Sequence, residues 1–151
     1  MRAVIQRVTG ATVSNETGDV SSINNGLLIL LGVEDADNLD DIEYLAGKIT
    51  RLRIFDDENG VMNLSVTDIK GELLIVSQFT LHADTKKGNR PSYIRAAKPD
   101  IAILLYEGFV EYISKLSGLK TATGWFGAHM SIQLVNDGPV TIILDSKSRS
   151  L

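Results

Sequence analysis

Leu73-Leu74-Ile75-Val76-Ser77-Gln78-Phe79-Thr80-Leu81 starts as an unbroken apolar run and ends in two hydroxyls and an amide. Four consecutive bulky apolar residues at strand length read as a strand buried on both faces. The pattern predicts one strand from Glu72 to Leu81. Polar side chains carried into such an interior each need a partner, because an unpaired buried polar group costs roughly 1–3 kcal/mol. The polar end is therefore a candidate site.

Leu27-Leu28-Ile29-Leu30-Leu31-Gly32-Val33 is a second apolar run and a second central strand. Before it, Ala3 to Val8 and Ala11 to Ser14 read as strand, Asn15-Glu16-Thr17-Gly18 as a turn and Asp19 to Ile23 as a hairpin partner. Between the two apolar runs, Leu39, Ile42, Leu45, Ala46, Ile49 and Leu52 recur at helical spacing. They predict a helix from about Asn38 to Arg51, with acids in its first turn and Lys48 and Arg51 in its last. Short strands are expected at Arg53 to Phe55 and Met62 to Val66. The acid cluster Asp56-Asp57-Glu58-Asn59-Gly60 between them lacks the spacing and terminal Glu of an EF-hand and reads as a loop.

Downstream, Pro99 suits the first turn of a second helix carrying Ile101, Leu104, Leu105, Phe109, Tyr112, Ile113 and Leu116, with Gly118 placed to cap it. Lys120 to Thr123, Met130 to Val135 and Val140 to Leu144 then read as strands. Asn136-Asp137-Gly138 reads as a tight turn joining the last two, with Pro139 at the start of the final strand. Ser146 to Leu151 is expected to fray. With no repeat and no linker, the order predicts one domain over residues 1–151. Its class is mixed α/β: an antiparallel or mixed sheet curled toward a barrel, with two helices packed outside.

The 151 residues are 44% hydrophobic and 23% charged, ordinary globular values. No apolar run reaches the ~20 residues of a membrane span, and the first residues lack the apolar centre of a signal peptide. A cytoplasmic protein with no membrane partner is expected. The absence of cysteine excludes disulfides and thiolate chemistry. A net charge of −4 argues against a surface that coats DNA or RNA. Binding of one RNA end stays open, because Lys86-Lys87-Gly88-Asn89-Arg90 follows the polar strand end directly.

Ser77, Thr80, His82 and Asp84 invite a triad reading, which strand parity weakens. On a strand, Gln78, Thr80 and His82 share one face and Ser77, Phe79 and Leu81 the other. Thr80 and His82 would lie about 6–7 Å apart, too far for a hydroxyl-to-imidazole bond, and there is no G-x-S-x-G elbow. His82 is expected at the surface. With His129 the only other histidine, no metal-ligand spacing appears, and neither metal nor cofactor is expected.

The chain resembles the D-aminoacyl-tRNA deacylase family. The resemblance runs from Met1-Arg2-Ala3-Val4-Ile5-Gln6-Arg7-Val8 through Leu52-Arg53-Ile54-Phe55 and Met62-Asn63-Leu64-Ser65 to the signature Ser77-Gln78-Phe79-Thr80-Leu81. It continues through Lys87-Gly88-Asn89-Arg90-Pro91-Ser92 and Phe126-Gly127-Ala128 to a second signature, Asn136-Asp137-Gly138-Pro139-Val140-Thr141. It implies hydrolysis of the ester of D-aminoacyl-tRNA, and of glycyl-tRNA, by a homodimer in which a cis Gly138-Pro139 reaches into the partner's pocket and excludes L side chains. By the same carry-over, Ser77, Gln78, Phe79 and Thr80 form the catalytic wall and backbone amides near Phe79 and Thr80 face the ester. Ala102, Phe126 and Met130 border the terminal adenosine, Arg7 supports the Gly-Pro segment, and Lys86, Lys87 and Arg90 contact RNA. The family is described as using no indispensable side-chain nucleophile. His129 and Trp125 depart from the family pattern beside the adenosine positions. A noncatalytic RNA-end or translation-factor binding module is the alternative from another class.

Overall fold

The computed structural model describes residues 1–150. Its centre is a parallel pair, β3 (Gly26–Gly32) and β6 (Glu72–Ser77), in register from Gly26 opposite Glu72 to Leu31 opposite Ser77. Both strands are apolar on both faces because both faces are covered. Leu27, Ile29, Leu31, Leu73 and Ile75 face the helices, while Leu28, Leu74 and Val76 face a second apolar cluster. Gly26 is required where the pair begins, since a Cβ there would stand 1.8 Å from the Glu72 carbonyl oxygen.

Parallel strands need a long crossover. Here it consists of α1 (Leu39–Arg51) and a small ribbon of β4 (Phe55–Asp56) and β5 (Met62–Leu64). Asn38 caps α1 in a capping box with Asp41, a use of that first-turn acid beyond its effect on the helix dipole. The second helix, α2 (Pro99–Ser117), ends on Gly118 in the left-handed conformation, φ +67°. Beyond it β7 (Thr121–Thr123) lies parallel to β6.

The spine of the sheet is β1 (Arg2–Asn15). One of its edges pairs with β3 and then with β2 (Val20–Ile23), and the other pairs along its length with β8 (Met130–Asp145). The long pair bends, so that Val8, Ala11 and Val13 of β1, with Met130, Ile132 and Leu134 of β8, close over Leu28, Leu74 and Val76. This is the expected barrel-like curl, with α1 and α2 packed on the outer face. No helix among the described residues is long and apolar enough to cross a membrane.

Three expectations need correction. Asn136-Asp137-Gly138 does not join two strands in a hairpin. Gln6 pairs with Thr141 and Val8 with Asn136, so Asp137, Gly138, Pro139 and Val140 bulge from one continuous strand opposite Arg7 alone. The Gly138–Pro139 peptide is cis, and Gly138 has φ +131°. The turn-forming residues are used to leave the ladder and rejoin it, because β1 supplies partners on both sides of the excursion.

The strand from Glu72 also stops at Ser77, not Leu81. Gln78 donates its amide to the Leu31 carbonyl at 2.8 Å, and there β3 ends. With no ladder left to join, Phe79 to His82 wind into one 3-10 turn. Finally, the tail does not fray over its described part. Ser146 donates to the Met1 carbonyl, Lys147 pairs with Asp41 at 2.9 Å, and the Arg149 guanidinium lies 4.1 Å from the Tyr44 ring centre. Leu151 lies outside the described residues.

Candidate functional site

At the carboxyl ends of β3 and β6 the chain encloses a cavity of about 450 Å³. The end of a parallel pair is where side chains and turns diverge and leave a crevice. Leu31 and Val33, from β3 and just beyond it, and Ser77, Gln78 and Phe79, from the end of β6 and the residues after it, line the cavity. Ala97, Ala102 and Tyr106, from α2 and the segment before it, and Phe126 complete the lining. Ala97 and Ala102 are small residues at the start of α2, and the space they leave is part of the cavity.

The 3-10 turn changes what the first signature presents. In a continued strand Ser77 and Phe79 would face away from Gln78; with the strand ending at Ser77 and the turn beginning at Phe79, all three line the cavity. The first amides of such a turn have no acceptor inside it. Among the described residues, the Phe79 and Thr80 amides find none elsewhere. The Gln78 side-chain amide donates to the Thr80 hydroxyl at 2.6 Å, which holds Thr80 beside the cavity rather than on its wall.

His82 is the largest departure from expectation. It is 1% exposed, and neither ring nitrogen has a hydrogen-bond partner. The 3-10 turn rotates it inward against Gly32, where a Cβ would come within 3.1 Å of its ring. Burial holds its pKa below the usual imidazole range, partly opposed by the Gly32 backbone beside the ring and then by the Glu34 carboxylate, 3.7 Å from Nδ1. A neutral, buried imidazole with no bond to Thr80 or Ser77 activates neither hydroxyl. On the opposite wall, the Tyr106 hydroxyl donates to the Ile75 carbonyl at 2.8 Å, and burial pushes its pKa far up, so it stays protonated.

Of the residues singled out from sequence, Ser77, Gln78, Phe79, Ala102 and Phe126 meet at the cavity. Met130 does not line it. It packs in the second apolar cluster, with its sulfur 3.4 Å from the Trp125 amide. Lys86, Lys87 and Arg90 lie in an exposed loop closed by a bridge between Asp84 and Ser92. Tyr93, Lys98 and Tyr106 line the cavity unforeseen, since only folding brings the segments before and within α2 beside β6.

The second signature lies elsewhere. Arg7 pairs with Leu27 at the start of β3, whereas the cavity begins at Leu31. Four residues of strand separate the two, roughly 13 Å at the usual rise. Arg7 is 8% exposed and divides its guanidinium, Nε donating to the Asp137 carbonyl at 2.9 Å and Nη1 to the Ile54 carbonyl at 2.6 Å. The Gly138-Pro139 segment is thus held outward, exposed, away from the cavity of its own chain.

The site is thus an apolar cavity with the unpaired Phe79 amide on its wall and that of Thr80 beside it, and with no activated side-chain nucleophile. Over residues 4–145 the chain matches the model of the D-Tyr-tRNA(Tyr) deacylase family, and it belongs to that family. It is 59% identical over 149 residues to the D-aminoacyl-tRNA deacylase of Flavobacterium johnsoniae, covering 99% of both chains. It is 65% identical over 147 residues to that of Thermosipho africanus, covering 97% of this chain and 98% of the relative. Among solved structures, a c-Myc DNA unwinding element binding protein superposes with TM-score 0.90 at 41% identity, over 96% of this chain and 98% of that one. A probable eukaryotic D-amino acid tRNA deacylase superposes with TM-score 0.82 over 95% and 97%; at 15% identity this likeness concerns the fold alone.

Proposed function

We propose that the chain is a hydrolase that removes D-amino acids, and glycine, from the 3′ end of tRNA in the cytoplasm, acting as a homodimer. The observation that carries the reading is the pair of unpaired amides on Phe79 and Thr80 at an apolar cavity without an activated nucleophile. An aminoacyl ester is already reactive. Water adds to its carbonyl carbon, negative charge collects on the carbonyl oxygen, and the two amides receive it. Collapse expels the ribose oxygen, which takes up a proton, and leaves free amino acid and tRNA. One such donor is worth about 10²–10³ in rate. The ribose hydroxyl next to the ester assists the water, so neither Ser77 nor Thr80 is the attacking group.

The terminal adenosine takes the apolar part of the cavity, against Ala102 and Phe126. Gly138 and Pro139 of a second subunit complete the cavity. Their outward position and their distance from their own chain's cavity support action in trans. Carbonyls of that segment hold the substrate α-amino group and fill the space an L side chain needs. Glycine has no side chain to exclude and is also cleaved. Lys86, Lys87 and Arg90 add attraction to the RNA backbone.

Turnover tests the reading. Catalytic amounts of protein empty many equivalents of D-tyrosyl-tRNA and of glycyl-tRNA and spare L-tyrosyl-tRNA. A binding module would protect both tyrosyl esters, and that result would sink the proposal. Thr80→Ala retains substantial activity; complete loss in a folded variant would restore Thr80 as the nucleophile.

A further inference from the structure

One part of the cavity rim lies outside the Ala102 and Phe126 positions proposed above for the terminal adenosine. Tyr93 stands at the mouth, 40% exposed, with its ring held edge-to-face against Phe79 at 5.0 Å between centres. Phe79 is itself 56% exposed. An aromatic pair left in water at the opening of an apolar cavity has a free face for a further planar group. Lys98 stands on the same rim and is the only charged residue among those lining the cavity. It has no acidic partner among the described residues, whereas the nearby Arg95 approaches Glu34 at 3.8 Å. Lys86, Lys87 and Arg90 continue the positive charge along the loop leading to Tyr93, and they too form no ion pair among the described residues.

Stacking faces beside unpaired cations are the two elements that bind single-stranded nucleic acid. We infer that Tyr93 and Lys98 form a second nucleotide subsite, which takes the nucleotide preceding the terminal adenosine, its base on the Tyr93 ring and the linking phosphate at Lys98. The inference takes from the deacylase reading only which nucleotide enters the cavity first. It adds that the protein reads a single-stranded end at least two nucleotides long. A substrate whose last base pair persists to its end would not reach both subsites at once.

Calorimetric titration with adenosine and with cytidylyl-adenosine tests the subsite without recourse to activity. The dinucleotide is expected to bind the wild-type protein about tenfold more tightly than adenosine, within the usual worth of one stacked base. That ratio falls to about two or less in Tyr93→Ala and persists in Tyr93→Phe, which keeps the ring. In Lys98→Met the ratio falls, and what remains of it no longer depends on salt. Equal affinity of the wild-type protein for both ligands would overturn the inference. So would a Tyr93→Ala variant that weakens both ligands by the same factor, since Tyr93 would then only buttress Phe79. A protein that shows the dinucleotide preference yet hydrolyses no D-tyrosyl-tRNA would refute the deacylase reading and leave the subsite standing.

Discussion

Arg7 stands opposite the excursion of β8 and donates Nε to the Asp137 carbonyl at 2.9 Å, while Asn136 closes the excursion from within by accepting from the Val140 amide at 2.9 Å. Arg7 Nη1 reaches the Ile54 carbonyl in the crossover, and the Asp56 and Asp137 carboxylates lie at 3.7 and 3.5 Å. The guanidinium therefore ties the Gly138-Pro139 segment to the segment leading into the ribbon.

Replacing Arg7 by Met removes both donors and leaves two carbonyls without them. Bonds from a charged donor are each worth about 1.5–3 kcal/mol, so with two removed urea unfolding should register a loss of about 3–6 kcal/mol. Deacylation should fall further than stability does. Arg7→Lys should not restore it, because an ammonium cannot reproduce a planar fork directed at two separate carbonyls.

Gly138→Ala acts on the same element without touching charge. At φ +131° an added Cβ is strained, and it would stand 2.9 Å from Val140 Cγ2 and 3.0 Å from Arg7 Nη2. The segment must shift, at a cost of about 1–3 kcal/mol. A displacement of an ångström in a positioning element corresponds to about a hundredfold loss in kcat/KM on D-tyrosyl-tRNA. Near wild-type kinetics in this variant would remove the Gly-Pro segment from the reaction.

Ala102 sits at the start of α2 with its side chain against the cavity. Ala102→Phe should fill that space and raise KM about tenfold or more; because Ala102 is buried in the main apolar cluster, the unfolding midpoint should also fall, by an overpacking cost of up to about 1–3 kcal/mol. Unchanged KM in this variant would place the nucleoside elsewhere.

His82 makes stability depend on pH. Its pKa is lowered in the folded chain, chiefly by burial, so between that value and the ordinary value of about 6.5 the unfolded chain binds more protons than the folded one. Stability contributed by the neutral ring is present above pH ~6.5 and is lost as pH falls through that window. Urea midpoints measured from pH 7.5 down to 5 should decline for the wild type and decline less for His82→Leu. Identical slopes would show that the imidazole finds a partner when protonated.

Much of the architecture was legible in the chain. The apolar runs at Leu27 and Leu73 determined two fully buried strands, because only a covered strand tolerates branched apolar residues on both faces. The periodic segments determined both helices, and Asn38 and Gly118 mark their ends where expected. Both signatures could be found by their residues. What the residues did not determine was how long each pairing lasts. The strand from Glu72 ends when β3 runs out, and that length is a property of the sheet. The turn that follows brings Ser77, Gln78 and Phe79 to one cavity and buries His82, reversing an alternation that a lone strand would keep. Likewise the Asn-Asp-Gly stretch carries local turn chemistry, and only an available β1 on either side of Arg7 makes it a bulge rather than a hairpin. Local propensity chose the conformations, and the supply of hydrogen-bond partners from distant strands decided where they stop.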